Sequence, residues 1–130
     1  MSERDEAAIW NRACSPGSEA LRLLGDRALA DMILIHSLIM NGGVHHALEA
    51  LATDEVAAGI AGYVYFNLAP VAAFLASVRD DPIKSRWTET NEFEANRRYF
   101  ELVPDDEVLV NAFRARLRER PLAFEQAPAC

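Results

Sequence analysis

Apolar residues recur along most of this chain at the three- and four-residue steps of an α-helix, and the pattern predicts a bundle of about six to eight helices. Ser2 caps a first helix running to about Cys14, with Asp5 and Glu6 at its positive end and Ile9 and Trp10 on its apolar face. "SPGS" (15–18) breaks it, and the short helical piece "EALRLL" follows before Gly25. Asp26 caps the strongest helix, about 27–40. There Met32, Ile33, Leu34, Ile35, Leu38, Ile39 and Met40 leave only a thin polar edge at Arg27 and Asp31. A helix this apolar belongs in the middle of a bundle. Asn41, Gly42 and Gly43 stand where it must stop, and both residue types tolerate the left-handed backbone of a helix end. They are read as a structural turn into a helix of about 44–52 that carries Val44, Leu48 and Leu51 on one face.

Thr53 or Asp54 caps a fourth helix through "EVAAGIAGYVYF". Its last five residues alternate like a strand, but Val56, Ile60 and Val64 keep helical spacing. Asn67 is a left-handed stop, with Leu68 folding back as in a Schellman motif. Pro70 fits the first position of a helix of about 70–79 that buries Val71, Phe74, Leu75 and Val78. "RDDPIKSRW" (79–87) is a loop around Pro82. A helix resumes from about Asn91, with Phe93, Arg97 and Phe100 in one stripe and Tyr99 beside it. Pro104 interrupts, and Asp105, Asp106 and Glu107 open a last helix that turns Val108, Leu109, Ala112, Phe113 and Leu117 inward. Pro121 ends it, and 122–130 is a tail that packs through Leu122 and Phe124. The expectation is one all-α domain over 1–130, a single compact bundle without repeats or linkers.

Composition narrows the functional classes. With 51% hydrophobic and 25% charged residues, the 130-residue chain has the make-up of a globular domain. Its start is charged where a secretory leader needs an apolar run, which predicts a cytoplasmic protein. The longest apolar stretch, 28–40, is interrupted by Asp31, His36 and Ser37, and as a helix it spans only about 20 Å. No membrane segment is expected. A net charge of −7 argues against direct nucleic-acid binding and suits a basic protein partner. Cys14 and Cys130 form no C-x-x-C pair and are read as free thiols.

Catalytic signatures are absent. There is no G-x-S-x-G, and "NGG" lacks the lysine and preceding strand of a phosphate-binding loop. "GIAG" (59–62) reads as close helix packing. His45 and His46 are adjacent, so on a helix they point about 100° apart, and H-E-x-x-H is missing. With His36 they are expected to be partly buried, hydrogen-bonded side chains, with no metal and no cofactor. The alternative is a small enzyme or metal-binding protein that uses His36, His45 or His46. The stronger signal is acidic: from Asp80 to Glu107 lie nine acids and four bases. If Asp80, Asp81, Glu89, Glu92 and Glu94 line one edge, they present charge where a DNA-binding protein expects phosphates.

Three segments carry a resemblance. "DRALADMILIHSLIMNGGVHHALEAL", "GYVYFNLAPVAAFLASV" and "YFELVPDDEVLVNAFRARLRERPLAF" look like the pattern of a bacterial all-α family named for a DNA-mimic protein. In that family a helix ends in N-G-G and an aromatic-ending helix leads into another. The resemblance spans about residues 26–124. It implies an all-helical fold and a role in binding a protein, the named mimic occupying the DNA-binding surface of a regulator with its carboxylates. Only Asn41, Gly42 and Gly43 match the family's motif residue by residue, as a structural corner. The combined expectation is a protein-interaction module, without catalysis, for a basic or DNA-binding protein partner.

Overall fold

The computed structural model describes residues 3–15 and 23–125, and every regular element among them is helical. In chain order these are α1 (Glu3–Cys14), α2 (Leu24–Gly42), α3 (Val44–Ala50), α4 (Thr53–Tyr65), α5 (Ala69–Asp80), α6 (Glu89–Leu102) and α7 (Glu107–Glu119). A 3-10 turn, Pro121–Ala123, follows. The protein is all-α, and the strand-like "GYVYF" closes α4 as helix, with Phe66 as its C-cap. The expectations for Ser2, for residues 16–22 and for Cys130 lie outside the described residues. No helix among the described residues is long and apolar enough to cross a membrane.

The pattern places α2 at the centre, and it is there. It packs against α1, α3 and α4, and the turn at 121–123 reaches it too. Ten of its nineteen residues are buried, more than one face of a surface helix supplies. Its start departs from expectation. Asp26 is not the N-cap, because α2 begins at Leu24 and its N-cap, Leu23, offers no side-chain acceptor. Asp26 lies in the first turn and is only 1% exposed. Its Oδ1 accepts from Arg12 Nη2 at 2.6 Å and its Oδ2 from the Glu125 N–H at 2.6 Å. Arg12 Nη2 also donates to the Glu125 carbonyl at 2.8 Å. One carboxylate thus ties α1 and the C-terminal segment to the central helix, and the charge-assisted bonds answer its desolvation.

The corners follow from local chemistry. α2 runs through Asn41 and Gly42, so the turn is narrower than the three residues expected and falls on Gly43 alone. Gly43 has φ +94°, and its N–H reaches the Ile39 carbonyl at 2.7 Å. Asn67, at φ 62°, ends α4 as expected. Its N–H bonds the Val64 carbonyl and the Leu68 N–H bonds that of Tyr63, the two bonds of a Schellman motif. Ala52, rather than Thr53 or Asp54, is the N-cap of α4, with Glu55 Oε1 accepting its N–H at 2.9 Å. Pro70 sits at the second position of α5, behind Ala69. α6 starts at Glu89, two residues before the expected Asn91, and Thr88 is its N-cap, with Oγ1 accepting the Asn91 N–H.

One hydrophobic cluster draws on all seven helices, from Ile9 of α1 to Leu109, Phe113 and Leu117 of α7, with Phe124 of the tail closing it. Phe124 lies 5.7 Å from the Phe113 ring and 6.3 Å from that of Phe66. The tightest approach is between α2 and α4. A Cβ on Gly62 would stand 2.7 Å from the Ala28 carbonyl oxygen, which is backbone and cannot swing aside. Gly62→Ala should therefore force the helices apart and cost about 1–3 kcal/mol. Thermal and urea denaturation measure this, and an unchanged midpoint would mean that α2 and α4 do not meet so closely.

Candidate functional site

The three histidines are not gathered into one site. His36, on α2, is the most completely engaged. Its Nε2 lies 2.9 Å from Asp106 Oδ1, its Nδ1 2.7 Å from Tyr99 Oη, and Tyr99 Oη in turn 2.7 Å from Tyr63 Oη. A carboxylate only accepts, so with neutral histidine Nε2–H donates to Asp106 and Nδ1 accepts the Tyr99 hydroxyl proton. Tyr99 oxygen then accepts from Tyr63. Every group in this chain is satisfied in that one orientation. It joins α2, α4, α6 and the corner before α7.

The chain runs from solvent into the core. The Asp106 side chain is 74% exposed and that of His36 only 9%, while both tyrosines are fully buried. Burial pushes the Tyr63 hydroxyl well above the ordinary tyrosine range, and the neighbouring Tyr99 adds to the shift. Tyr99 is raised too, again by desolvation first, with Asp106 adding to it and the bond from Tyr63 opposing it. Neither hydroxyl is a base at neutral pH, and the inner end of the chain faces packed side chains. Its chemistry is that of a buried polar tie between helices.

The N-G-G corner is likewise explained by structure. The first N–H of α3, at Val44, donates to Asn96 Oδ1 of α6 at 2.9 Å. A Cβ on Gly43 would lie 2.9 Å from the same Asn96 side chain. Gly43 is thus required twice, by its backbone angle and by the approach of α6. His45, on α3, is buried against Trp87, with ring centroids 5.9 Å apart, and its Nε2 donates to the Lys84 carbonyl at 3.0 Å. His46 remains partly exposed. Among the described residues no group of three or more His, Cys, Asp or Glu stands ready for a metal.

The five acids of the expected partner edge divide by role. Asp80 takes a two-pronged ion pair from Arg79, at 2.7 and 3.1 Å, and that guanidinium holds its carboxyl below the usual range. Asp81 anchors the loop. Its Oδ1 accepts the Ile83 and Lys84 N–H groups at 2.9 and 3.1 Å, and these bonds, that of Lys84 foremost, lower its pKa. Glu89, Glu92 and Glu94 lie on the first half of α6. At about 100° per residue, Glu94 points about 140° from Glu89 and about 160° from Glu92, so the three do not share one stripe. Glu94 instead faces α5, lining with Lys84, Arg97 and Arg98 a cavity of about 320 Å³.

What the charge pattern did not disclose is apolar. Phe93 (67% exposed), Ile83 (68%) and Trp87 (47%) stand in solvent on α6 and the loop before it, with Phe100 less so. The stripe of Phe93, Arg97 and Phe100 is real, but it is the outer face of α6, because Ala95 and Tyr99 take the core side. Glu89 lies within about 40° of both phenylalanines on that face. The loop itself is pinned. Asn91 Nδ2 donates to the Ile83 and Arg86 carbonyls, at 3.0 and 3.3 Å, while Asp81 and His45 hold its first half. The periodicity that marked α6 as amphipathic could have revealed this, since its aromatic stripe is distinct from its Ala95–Tyr99 stripe.

No protein-family model, no curated protein and no solved structure matches this chain.

The tyrosine–histidine chain makes two predictions. Tyr99→Phe strands both His36 Nδ1 and the Tyr63 hydroxyl and should cost about 2–4 kcal/mol, whereas Tyr63→Phe removes only the terminal donor and should cost about 1 kcal/mol. Equal losses in urea titrations would disprove the assigned direction of the chain. The raised tyrosines also fix an alkaline limit. Their unfolded value is 10.0, so the stability they contribute is complete below that pH and is lost as pH climbs beyond it. Unfolding midpoints followed through the alkaline range should fall less steeply in Tyr63→Phe than in the parent.

Proposed function

We propose that this chain is a protein-interaction module without catalysis, which docks a basic partner on the outer face of α6 and the loop that precedes it. A DNA-binding protein is the partner class this reading favours, with carboxylates standing where phosphates would, and a cytoplasmic setting goes with it. The observation that carries the proposal is the exposure of Ile83, Trp87 and Phe93 beside Glu89. Large apolar side chains are costly to leave in water, and bulky aromatics framed by charge are the usual composition of a protein-binding hot spot. Charge supports the same reading. Arg97 and Arg98 are both drawn to Glu101, at 2.8 and 3.2 Å, whereas Glu89, Glu92 and Glu94 enter no ion pair among the described residues. The hydrogen bonds that pin the loop reduce the ordering cost of binding. The resemblance of residues 26–124 to the DNA-mimic family points to the same class of function.

The test must separate charge from apolar anchoring and spare the loop. Asp81 is unsuitable, because its reversal would undo the turn it holds. Reversing Glu89 to lysine should weaken capture of cellular partners and reduce its salt sensitivity, since exposed charge is screened by salt. Phe93→Ala should weaken binding about tenfold or more with the salt dependence retained. Affinity capture at rising ionic strength, followed by titration of the captured partner, measures both. A partner bound equally well by both variants would refute the proposal.

A further inference from the structure

The cavity between α5 and α6 is distinguished by its charge. In a chain of net charge −7, its lining carries three cations, Lys84, Arg97 and Arg98, against one carboxylate, Glu94. Lys84 belongs to none of the ion pairs among the described residues. The Asp81 carboxylate that it influences is taken up by the Ile83 and Lys84 N–H groups. Arg97 and Arg98 share a single acid, Glu101, and each gives it one nitrogen, Nη1. A guanidinium has several N–H donors in a planar fork, so most of this donor capacity is left over by the fold. With Glu101 counted beside the lining, three positive charges meet two negative ones. One positive charge remains.

The rest of the lining is of another kind. Val78 and Ala95 are buried and Phe74 is half-buried, so the two helices supply an apolar wall beneath the cations. The two neutral polar side chains have already placed their protons. Ser77 Oγ donates to the Phe74 carbonyl at 2.6 Å, and Asn91 Nδ2 donates to the Ile83 and Arg86 carbonyls. The donors left for a guest are therefore those of the cations. At about 320 Å³, the space lies at the lower end of small-molecule sites.

We propose that this cavity binds a small organic carboxylate with an apolar body, an aromatic or branched-chain acid. Its carboxylate meets Lys84 and Arg98, and its body lies on Phe74, Val78 and Ala95. Guanidinium and carboxylate match as planar two-point partners, and the apolar wall favours a body that inorganic anions lack. The single uncompensated charge suits a monoanion. Glu94 opposes it across the lining and keeps the binding modest. The site faces α5 and does not depend on partner binding at the outer face of α6.

The experiment titrates the full-length, 15N-labelled protein with sodium benzoate and follows the backbone amides by NMR. Acetate supplies the charge without the body, benzamide the body without the charge, and inorganic phosphate a charge of another shape. Benzoate should shift the amides of Ser77, Val78, Glu94 and Ala95 to saturation, with acetate and benzamide about tenfold weaker or more. Lys84→Gln and Arg98→Gln keep the backbone bonds of the loop, and each should weaken benzoate about three- to fivefold, as exposed charge pairs do. Glu94→Gln should tighten it by a similar factor, a gain that loss of a structural contact would not produce. The proposal fails if benzoate leaves these amides unmoved, or if benzamide, acetate or phosphate binds as tightly as benzoate. It fails equally if Lys84→Gln and Arg98→Gln bind benzoate as the parent does, or if Glu94→Gln does not tighten it.

Discussion

A helix surrounded by other helices has no water to answer its polar side chains, and in this protein that constraint falls on α2. Two of its buried residues are polar, Asp26 near the start and His36 in the middle. Each must find its partners in other segments or leave a charge or a lone pair unanswered in the core. Asp26 finds Arg12 and the backbone of Glu125, and so ties both ends of the described chain to the centre. His36 finds Tyr99 and Asp106, and through Tyr99 reaches Tyr63 on α4. Apolar burial supplies the drive to collapse, but it is indifferent to register. These polar ties are not: a helix shifted by one residue would break them.

The same logic connects the N-G-G corner to the surface. Gly43 lets α6 approach, Asn96 caps α3, and α3 then carries His45 to the Lys84 carbonyl. From there the loop between α5 and α6 is held by Asp81 at one end and Asn91 at the other. Ile83 and Trp87 therefore stand on a braced segment, next to the outer face of α6. A rigid apolar surface loses less conformational freedom on meeting a partner than a mobile one. The corner contributes by position, two contacts removed from the face proposed to bind.

Much of this architecture was legible in the chain. The step of three and four along α2, α4, α5 and α7 is set by which side chains must leave water, and Asn67, Pro70 and the 79–87 loop are local backbone chemistry that needs no neighbours to be read. Boundaries were less secure, as Ala52 and Leu23 show: neither side chain can cap, and at α4 the start is marked instead by Glu55 reaching back to the Ala52 N–H. The acids were visible as a count but not as an arrangement. Asp81 spends its acceptor on the loop, Asp80 is paired, and Glu94 turns to the α5 side.

The sequence by itself determined the helical class, the central place of α2 and a corner within residues 41–43, because hydrophobic period and backbone sterics act over a few residues. Only the tertiary structure decided the roles of the polar groups. Asp26 reads as a cap until Arg12 and Glu125 arrive beside it, and His36, Tyr99 and Tyr63 look unrelated until three helices bring them within 2.7 Å of one another in succession. A hydrogen bond acts only across the last few ångströms, so its partners, unlike an apolar stripe, are defined by where the fold puts them.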